Sequence, residues 1–436
     1  MSESTLSDRA EIPLQRPLEH HARGALVQRF AEIVVLLLAV FVPIVVVPLG
    51  DRFGTSDLML PAITGILLFS RFRGRVEWSH WLLALFLASA AISLLQITDG
   101  RLQMKSSLKW IRLLGICAPF YLGVRMHVDE RLLKKVGWGL FWGGLVAILI
   151  SLAVWWLQIP IRDSQQKLWY RGSGAALRAG GLVGETTHFG HLTATWMTLS
   201  ASLLVFANRV RQWRWVLAIL LGFGLFAIFA ASSRSAIINL VGTVIGVWLS
   251  FRFHPRSLSN VVIGAFAVLM LLVSSFVVLQ IANRSGALPS SSRIGHQIDR
   301  FLPSESNSVN RFSSGRLESW ERYLRLANKH ILLGCGYKNS PSLIPGRVPD
   351  NSILSVLLET GTVGLSLMVA FVGSLLLVLF HCGRKGNPYA VLLTGVWCGQ
   401  AMQALLGDTY TLWLSMPVLY LVTGLVIQYP REDEYT

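Results

Sequence analysis

Long apolar runs, separated by short and mostly basic polar stretches, make up most of this chain. A helix that crosses a membrane needs about 20 mostly apolar residues. A membrane β-barrel would instead alternate apolar and polar positions, and these runs do not. The pattern therefore predicts an all-α polytopic membrane protein with about twelve transmembrane helices. The predicted spans are Leu26–Leu49, Leu58–Phe69, Trp81–Ile97, Leu108–Val124, Val136–Leu157, Phe189–Ala207, Trp215–Ala231, Ala236–Phe251, Val261–Ala282, Ile353–Phe380, Tyr389–Leu406 and Leu412–Gln428.

The tenth predicted span is too long for a single simple crossing. Gly361 and Gly364 interrupt it, and glycine weakens a helix interior. We expect a half-helix that ends near Glu359, followed by the span proper.

Composition agrees with a membrane protein. The chain is 53% hydrophobic and 14% charged, whereas soluble domains carry about 25% charged residues. The net charge of +16 would indicate nucleic acid in a soluble protein. In a polytopic protein the positive-inside rule accounts for much of it, so we expect membrane lipids and no nucleic acid among the partners.

The basic residues of the short loops set the predicted orientation. Alternate loops carry fourteen Lys and Arg, against four in the intervening loops. The first set, and with it both termini, is predicted to face the cytoplasm. The predicted parts are a cytoplasmic tail at 1–25, spans one to nine at 26–282 with an outer loop at 158–188, a large outer loop at 283–351, three spans at 352–428 and a cytoplasmic tail at 429–436.

The large outer loop contains a predicted helix in RFSSGRLESWERYLRLANKH. Its apolar residues recur at helical spacing, which predicts one buried face. These residues are Leu317, Trp320, Tyr323, Leu324 and Ala327.

Three stretches with arginines are predicted to meet on the outer face. Arg178 opens RAGGLVG before the sixth span, Arg234 lies in the tight turn of ASSRSA, and Arg316 lies in the loop helix. Arginine is always charged and binds phosphate in a bidentate manner. A pyrophosphate on a lipid carrier would lie at this depth. The alternative for any single arginine is that it only snorkels to the lipid headgroups.

Asp350 is the candidate acid–base residue, because it ends the large loop directly before an apolar helix. A carboxylate there can accept a proton from an attacking sugar hydroxyl. The alternative is a helix N-cap, for which aspartate is favoured. Asn351 is a second candidate for that cap.

A metal site finds little support in the sequence. Glu185, His188 and His191 share a three-residue spacing, but no HExxH or comparable ligand set accompanies them. Phosphate-binding glycine loops of the GxxxxGK[ST] type are absent from the sequence as well. We expect neither a metal nor another cofactor.

The order of five short motifs resembles the O-antigen ligase and O-antigen polymerase superfamily. The resemblance covers roughly Arg178 to Leu365, and the first five spans contribute only their number and topology. The motifs are RAGGLVG from Arg178, SSRSA from Ser232, SGRLESW from Ser314, LLGCGY from Leu332 and DNSILSVLLETGTVGL from Asp350.

The resemblance implies a GT-C-like fold with a large periplasmic loop in the bacterial inner membrane. It implies glycan transfer from an undecaprenyl-pyrophosphate carrier, without nucleotide sugar or metal. By analogy Arg178 and Arg234 bind the donor pyrophosphate, Arg316 lines the same cleft, and Asp350 takes the place of the base.

One departure from the family pattern bears on the acceptor. Lipopolysaccharide ligases typically have His-Asn where this chain has Asp350-Asn351. The Asp-Asn pair resembles polymerase-type members, in which the acceptor is another carrier-linked glycan, more than ligases that use lipid A–core. Two other functions stay open: a flippase for the same lipid-linked glycan, and a scaffold of a polysaccharide export complex.

Overall fold

The computed structural model describes thirteen α-helices, one short 3-10 helix (Leu94–Gln96) and one short hairpin. The described residues are 15–42, 46–49, 51–69, 78–157, 179–180, 186–207, 210–231, 233–251, 316–343, 351–407, 409–410 and 415–429. The predicted ninth span and most of both long loops lie outside them.

The first half of the described chain contains eight helices and the hairpin. They are α1 (Gln15–Phe41), β1 (Val46–Leu49), β2 (Asp51–Gly54), α2 (Thr55–Phe69), α3 (Trp78–Ser93), α4 (Gly100–Arg125), α5 (Glu130–Trp156), α6 (Thr186–Ala207), α7 (Val210–Ala231) and α8 (Arg234–Phe251).

Five helices follow. They are α9 (Arg316–Ala327), α10 (Ser340–Leu343), α11 (Ser352–Arg384), α12 (Pro388–Ala404) and α13 (Met416–Gln428). Helices therefore lie at eleven of the twelve predicted span positions. Within the described ranges, four segments are long and apolar enough to cross a membrane: Trp78–Gln96, Gly100–Arg125, Glu130–Trp156 and Ser352–Arg384. Shorter apolar helices accompany them.

The first predicted span ends too late. Its helix stops at Phe41, and Val46–Leu49 pairs antiparallel with Asp51–Gly54 instead. Val46, Val47 and Leu49 favour strand as readily as helix, and Pro48 cannot continue a helix. The helix also begins at Gln15, inside the segment predicted as a tail.

Side-chain caps fix several helix starts. Asp99 accepts from the backbone N–H of Arg101 and Leu102 at the start of α4. Asn387 accepts from the Ala390 N–H at the start of α12, where Pro388 occupies the first turn. These side chains satisfy backbone donors that a helix start leaves without intrahelical partners.

Two apolar clusters form the core. The larger draws on α1 to α6 and on α11 to α13, with Phe120, Phe371, Trp397 and Tyr420 among its aromatic residues. The second draws mainly on α5 to α8. In that cluster the Trp196 indole of α6 lies directly over Gly144 of α5 and donates to the Phe141 carbonyl. Helices α6, α8 and α12 meet between the two clusters.

Candidate functional site

Arg234 is the first residue of α8. The turn before it is tight, since α7 ends at Ala231 and the Ser233 N–H donates to the Ile228 carbonyl at 3.3 Å. Ser233 and Ser235 are buried, with their hydroxyl oxygens 3.3 Å apart, while Arg234 is half-buried. The predicted turn thus places the arginine at a helix start. We call this end of the helix bundle the arginine end.

The stretch that follows Arg178 reaches the same end. The Ala179 N–H donates to the Ala230 carbonyl at 2.9 Å, four residues before Arg234. Helix α6 also passes close by, because a Cβ atom on Gly190 would lie 2.3 Å from the Ser233 hydroxyl. Arg178 lies outside the described residues, but the next residue in the chain is tied to the end of α7.

The start of α11 is held at the end of α12. Asn351 is the N-cap of α11: its side-chain oxygen accepts from the Ile353 and Leu354 N–H groups, and its Nδ2 donates to the Leu405 carbonyl at 3.1 Å. The Ser352 hydroxyl donates to the Gly407 carbonyl at 2.8 Å. The cap position belongs to Asn351, so Asp350, which lies outside the described residues, precedes the cap.

The loop helix α9 packs on the first part of α11. Tyr323 and Ala327 are buried with Cys335 and Leu358. Leu324, by contrast, is 45% exposed, so the predicted apolar face was too wide. Among the described residues, α9 packs mainly on α11, and a single helix covers a narrower stripe than a full core would. Arg316 is the first residue of α9, but its side chain is not among those that the structure describes.

Helix α11 is kinked at Gly361, which confirms the predicted half-helix. Gly361 has φ of 71°, and a Cβ atom there would lie 2.1 Å from the Leu332 carbonyl oxygen. The chain after α9 pairs along the kink, with the Cys335 N–H on the Leu358 carbonyl and the Thr362 N–H on the Ile331 carbonyl, each at 2.8 Å.

Glu359 fastens the loop to this kink. Its buried carboxylate accepts from the Ser340 hydroxyl at 2.8 Å and lies 4.0 Å from the Lys338 ammonium. Burial, followed by the charge of Glu359, raises the pKa of the nearby Cys335 thiol to about 12. We call Glu359, Ser340 and Lys338 the kink latch.

A chain of buried polar side chains runs from α12 to α6 and α8, and sequence reasoning missed it. Gln400 contacts His191 and Thr195 of α6, and Gln403 contacts Asn239 and Ser235 of α8. The available signal was polar residues inside apolar spans, which are rare and commonly functional. We call these six residues the amide ladder.

The described residues give no support to a metal site at Glu185, His188 and His191. No group of three or more His, Cys, Asp or Glu side chains placed to hold a metal occurs among them. His191 lies 2.6 Å from the Gln400 side-chain oxygen, so this nitrogen donates a hydrogen bond to an amide. Glu185 lies outside the described residues.

Several long apolar helices and a core of buried helix crossings define a polytopic α-helical membrane protein. Residues 217–369 match the sequence profile of the O-antigen ligase family. This match covers about a third of the chain, and it confirms the resemblance for the four motifs that lie inside it, from SSRSA onward. That segment includes Arg234, Arg316 and Asp350 and excludes Arg178. No curated protein matches the chain.

Proposed function

We propose that this protein is a membrane glycosyltransferase of the O-antigen ligase and polymerase type. It transfers a glycan from an undecaprenyl-pyrophosphate carrier to a sugar hydroxyl, at the periplasmic face of the bacterial inner membrane. Both termini then lie in the cytoplasm. The observation that carries the proposal is the meeting of three chain segments at the arginine end: residues 179–180, the start of α8 and the start of α11.

In the proposed mechanism the acceptor hydroxyl oxygen attacks the anomeric carbon of the donor glycan. The bond from that carbon to the pyrophosphate oxygen breaks with inversion, and its electron pair leaves with the pyrophosphate. Asp350 accepts the hydroxyl proton. Arg178 and Arg234 stabilise the leaving pyrophosphate as its charge builds, and Arg316 approaches from the loop helix. Such preorganised charges are often the largest single contribution to catalysis.

The acceptor is proposed to be a second carrier-linked glycan rather than lipid A–core. The reason is the Asp350-Asn351 pair, which resembles polymerase-type members. The Asn351 side chain serves as the helix cap and donates to the Leu405 carbonyl, and an amide does not titrate as an acid or base. Asp350 is then the residue of this pair left for acid–base chemistry.

The test is transfer in liposomes. Purified protein is mixed with a lipid-linked repeat unit, without nucleotide or metal, and both longer glycans and released undecaprenyl pyrophosphate are measured. Arg234→Ala and Asp350→Ala are each expected to lower the rate by about 100- to 1,000-fold. Arg325→Ala is the matched control, because Arg325 is an exposed arginine on α9 paired with Glu321.

Each outcome separates one function from another. Longer glycans with released carrier support a polymerase, and product only with lipid A–core supports a ligase. Movement of intact donor across the bilayer with no released pyrophosphate would mean a flippase. If neither glycan transfer nor movement of the donor is detected, the proposal is overturned and the scaffold function remains.

A further inference from the structure

The amide ladder joins α12 to two helices, α6 through Gln400 and α8 through Gln403. Gln400 and Gln403 are 0% and 1% exposed and lie three residues apart, which places them on neighbouring positions of one helix face. The Gln400 side-chain oxygen lies 2.6 Å from the His191 ring nitrogen, and its Nε2 donates to the Thr195 hydroxyl at 2.9 Å. Gln400 thus binds helix α6 through both ends of its amide.

Gln403 does the same for helix α8. Its side-chain oxygen accepts from Asn239 Nδ2 at 2.7 Å, and its Nε2 donates to the Ser235 hydroxyl at 3.5 Å. Asn239 and Ser235 lie one helical turn apart on α8. A side chain held at both ends along one turn fixes the rotation of α8 about its own axis as well as its distance from α12.

The close approach of α8 and α12 comes from glycines rather than from the ladder. A Cβ atom on Gly399 would lie 2.4 Å from the Asn239 carbonyl oxygen, and one on Gly246 would lie 2.6 Å from Cys398. Small residues at such crossings let membrane helices pack backbone to backbone. Hydrogen bonds between membrane helices each contribute little to stability. The effect specific to the ladder is therefore geometric, since it selects one rotation of each helix.

The ladder ends beside Arg234. Ser235 is the next residue in the chain, and its hydroxyl lies 3.3 Å from that of Ser233 on the other side of the arginine. Each residue of a helix advances by about 100°, so a slip of α8 by one position would turn Arg234 away from its present direction. On the other branch, Gln400 holds α6 one to three turns below its start, and Gly190 of α6 packs against Ser233 in the turn before Arg234.

We infer that Gln400 and Gln403 are positioning residues, which hold α6 and the start of α8 so that Arg234 keeps the position and direction in which it binds the anion. This inference rests on the proposed function for the identity of the anion, a lipid-linked pyrophosphate. The glutamines themselves do not touch the substrate. They act through α6 and α8, which pack together at the turn that carries Arg234.

The key experiment compares Gln403→Leu with the double variant Gln403→Leu/Asn239→Leu. The single variant leaves the Asn239 amide buried without its partner, whereas replacing both partners with apolar groups is nearly neutral for stability. The double variant is expected to recover the unfolding midpoint of the wild type. Its glycan transfer per folded molecule is expected to stay about 10- to 100-fold low, because misplacement of about 1 Å can have that effect.

Thr423→Val is the matched control. Thr423 of α13 accepts a buried hydrogen bond from Trp397 of α12. This bond joins α12 to α13 and does not involve the amide ladder. This variant is expected to lower stability and to leave transfer per folded molecule unchanged. In an Arg234→Ala background, Gln403→Leu is expected to cause no further loss of transfer. If transfer recovers in the double variant along with stability, or if the two losses multiply, the glutamines are only structural.

A distance measurement tests the positioning without using the activity. Spin labels are placed at Thr187, an exposed residue of α6, and at position 234, in a background in which all four native cysteines are replaced by alanine. The distance distribution is expected to shift or broaden in Gln403→Leu/Asn239→Leu and to stay as in the wild type in Thr423→Val. An unchanged distribution in the double variant overturns the inference. If the wild type transfers no glycan, the proposed function fails, and this measurement still decides the positioning role.

Discussion

Two helix crossings in this protein are brought close by glycines, but only the first also carries buried amide side chains. At α8 and α12, Gly242, Gly246, Gly395 and Gly399 bring the two backbones into contact. At α4 and α13, Gly123 and Gly424 do the same, and a Cβ atom on Gly424 would lie 2.6 Å from the Phe120 carbonyl oxygen. The first crossing carries buried amides alongside its glycines, while the second is lined by Phe120, Leu421 and Leu425.

The difference shows that a tight crossing needs only small residues. The α4–α13 crossing reaches backbone contact with apolar side chains around it. The amides of the α8–α12 crossing are therefore not required for closeness. Buried polar groups are costly unless each finds a partner, and here they define a rotation beside Arg234.

The largest expected effect separates the two crossings directly. Gly399→Ala forces a Cβ atom to within 2.4 Å of the Asn239 carbonyl oxygen, so α8 and α12 must move apart. We expect a loss of about 3 kcal/mol in the free energy of unfolding in detergent, together with a large loss of glycan transfer per folded molecule.

Gly424→Ala provides the comparison, because the same clash occurs at the α4–α13 crossing. It is expected to lower stability by a similar amount and to leave transfer per folded molecule largely intact. Equal loss of transfer in both variants would show that the crossing at the arginine end has no special role.

Two asparagine caps give a second matched pair. Asn351 caps α11 and donates to the Leu405 carbonyl at 3.1 Å, and Asn387 caps α12 and donates to the Val426 carbonyl at 3.0 Å. Each asparagine-to-alanine variant removes a cap and a tertiary hydrogen bond, so each is expected to lower the free energy of unfolding by about 1–2 kcal/mol. Thermal unfolding measures both.

Transfer per folded molecule should distinguish the caps. Asn351→Ala loosens the start of α11 at the arginine end and is expected to lower transfer. Asn387→Ala acts at the opposite end of α12 and should leave transfer unchanged. A normal rate in Asn351→Ala would contradict the placement of Asp350 in the site.

A smaller effect concerns the kink latch and uses Cys335 as its reporter. Because the pKa of this thiol is raised to about 12, little thiolate exists at pH 8, and the rate of maleimide labelling should rise with pH across the accessible range. Ser340→Ala removes one partner of Glu359 and is expected to increase the labelling rate several-fold by loosening the loop. Cys382, buried near the other end of α11, is the internal reference and should not change.

The smallest expected effect is that of Arg325→Ala. Arg325 and Glu321 form an ion pair one turn apart on α9, with side chains 70% and 67% exposed. Such pairs stabilise a helix by about 0.3–0.5 kcal/mol, and less at high salt. If Arg325→Ala lowers the unfolding midpoint more than Asn351→Ala or Asn387→Ala does, Arg325 makes contacts beyond its ion pair with Glu321.

Much of the site could be predicted from local pattern. The turn before Arg234, the half-helix that ends near Glu359 and the loop helix α9 each depend on residues close together in the chain. The errors also have local causes. The apolar run Val46–Leu49 favours a helix by composition, yet it forms a strand. Helical periodicity places Leu324 on the apolar face of α9, but periodicity does not tell how wide the covered stripe is.

The class of protein, the positions of most helices, the arginine at the start of α8 and the family resemblance follow from the amino-acid sequence alone, because apolar runs, glycines and short motifs are local features. Three further roles become visible in the folded protein. Asn351 is the cap, Glu359 holds the loop to the kink, and Gln400 and Gln403 bind two different helices. Those roles depend on which side chains face each other across residues far apart in the chain, such as Asn239 and Gln403, and helix packing sets that pairing.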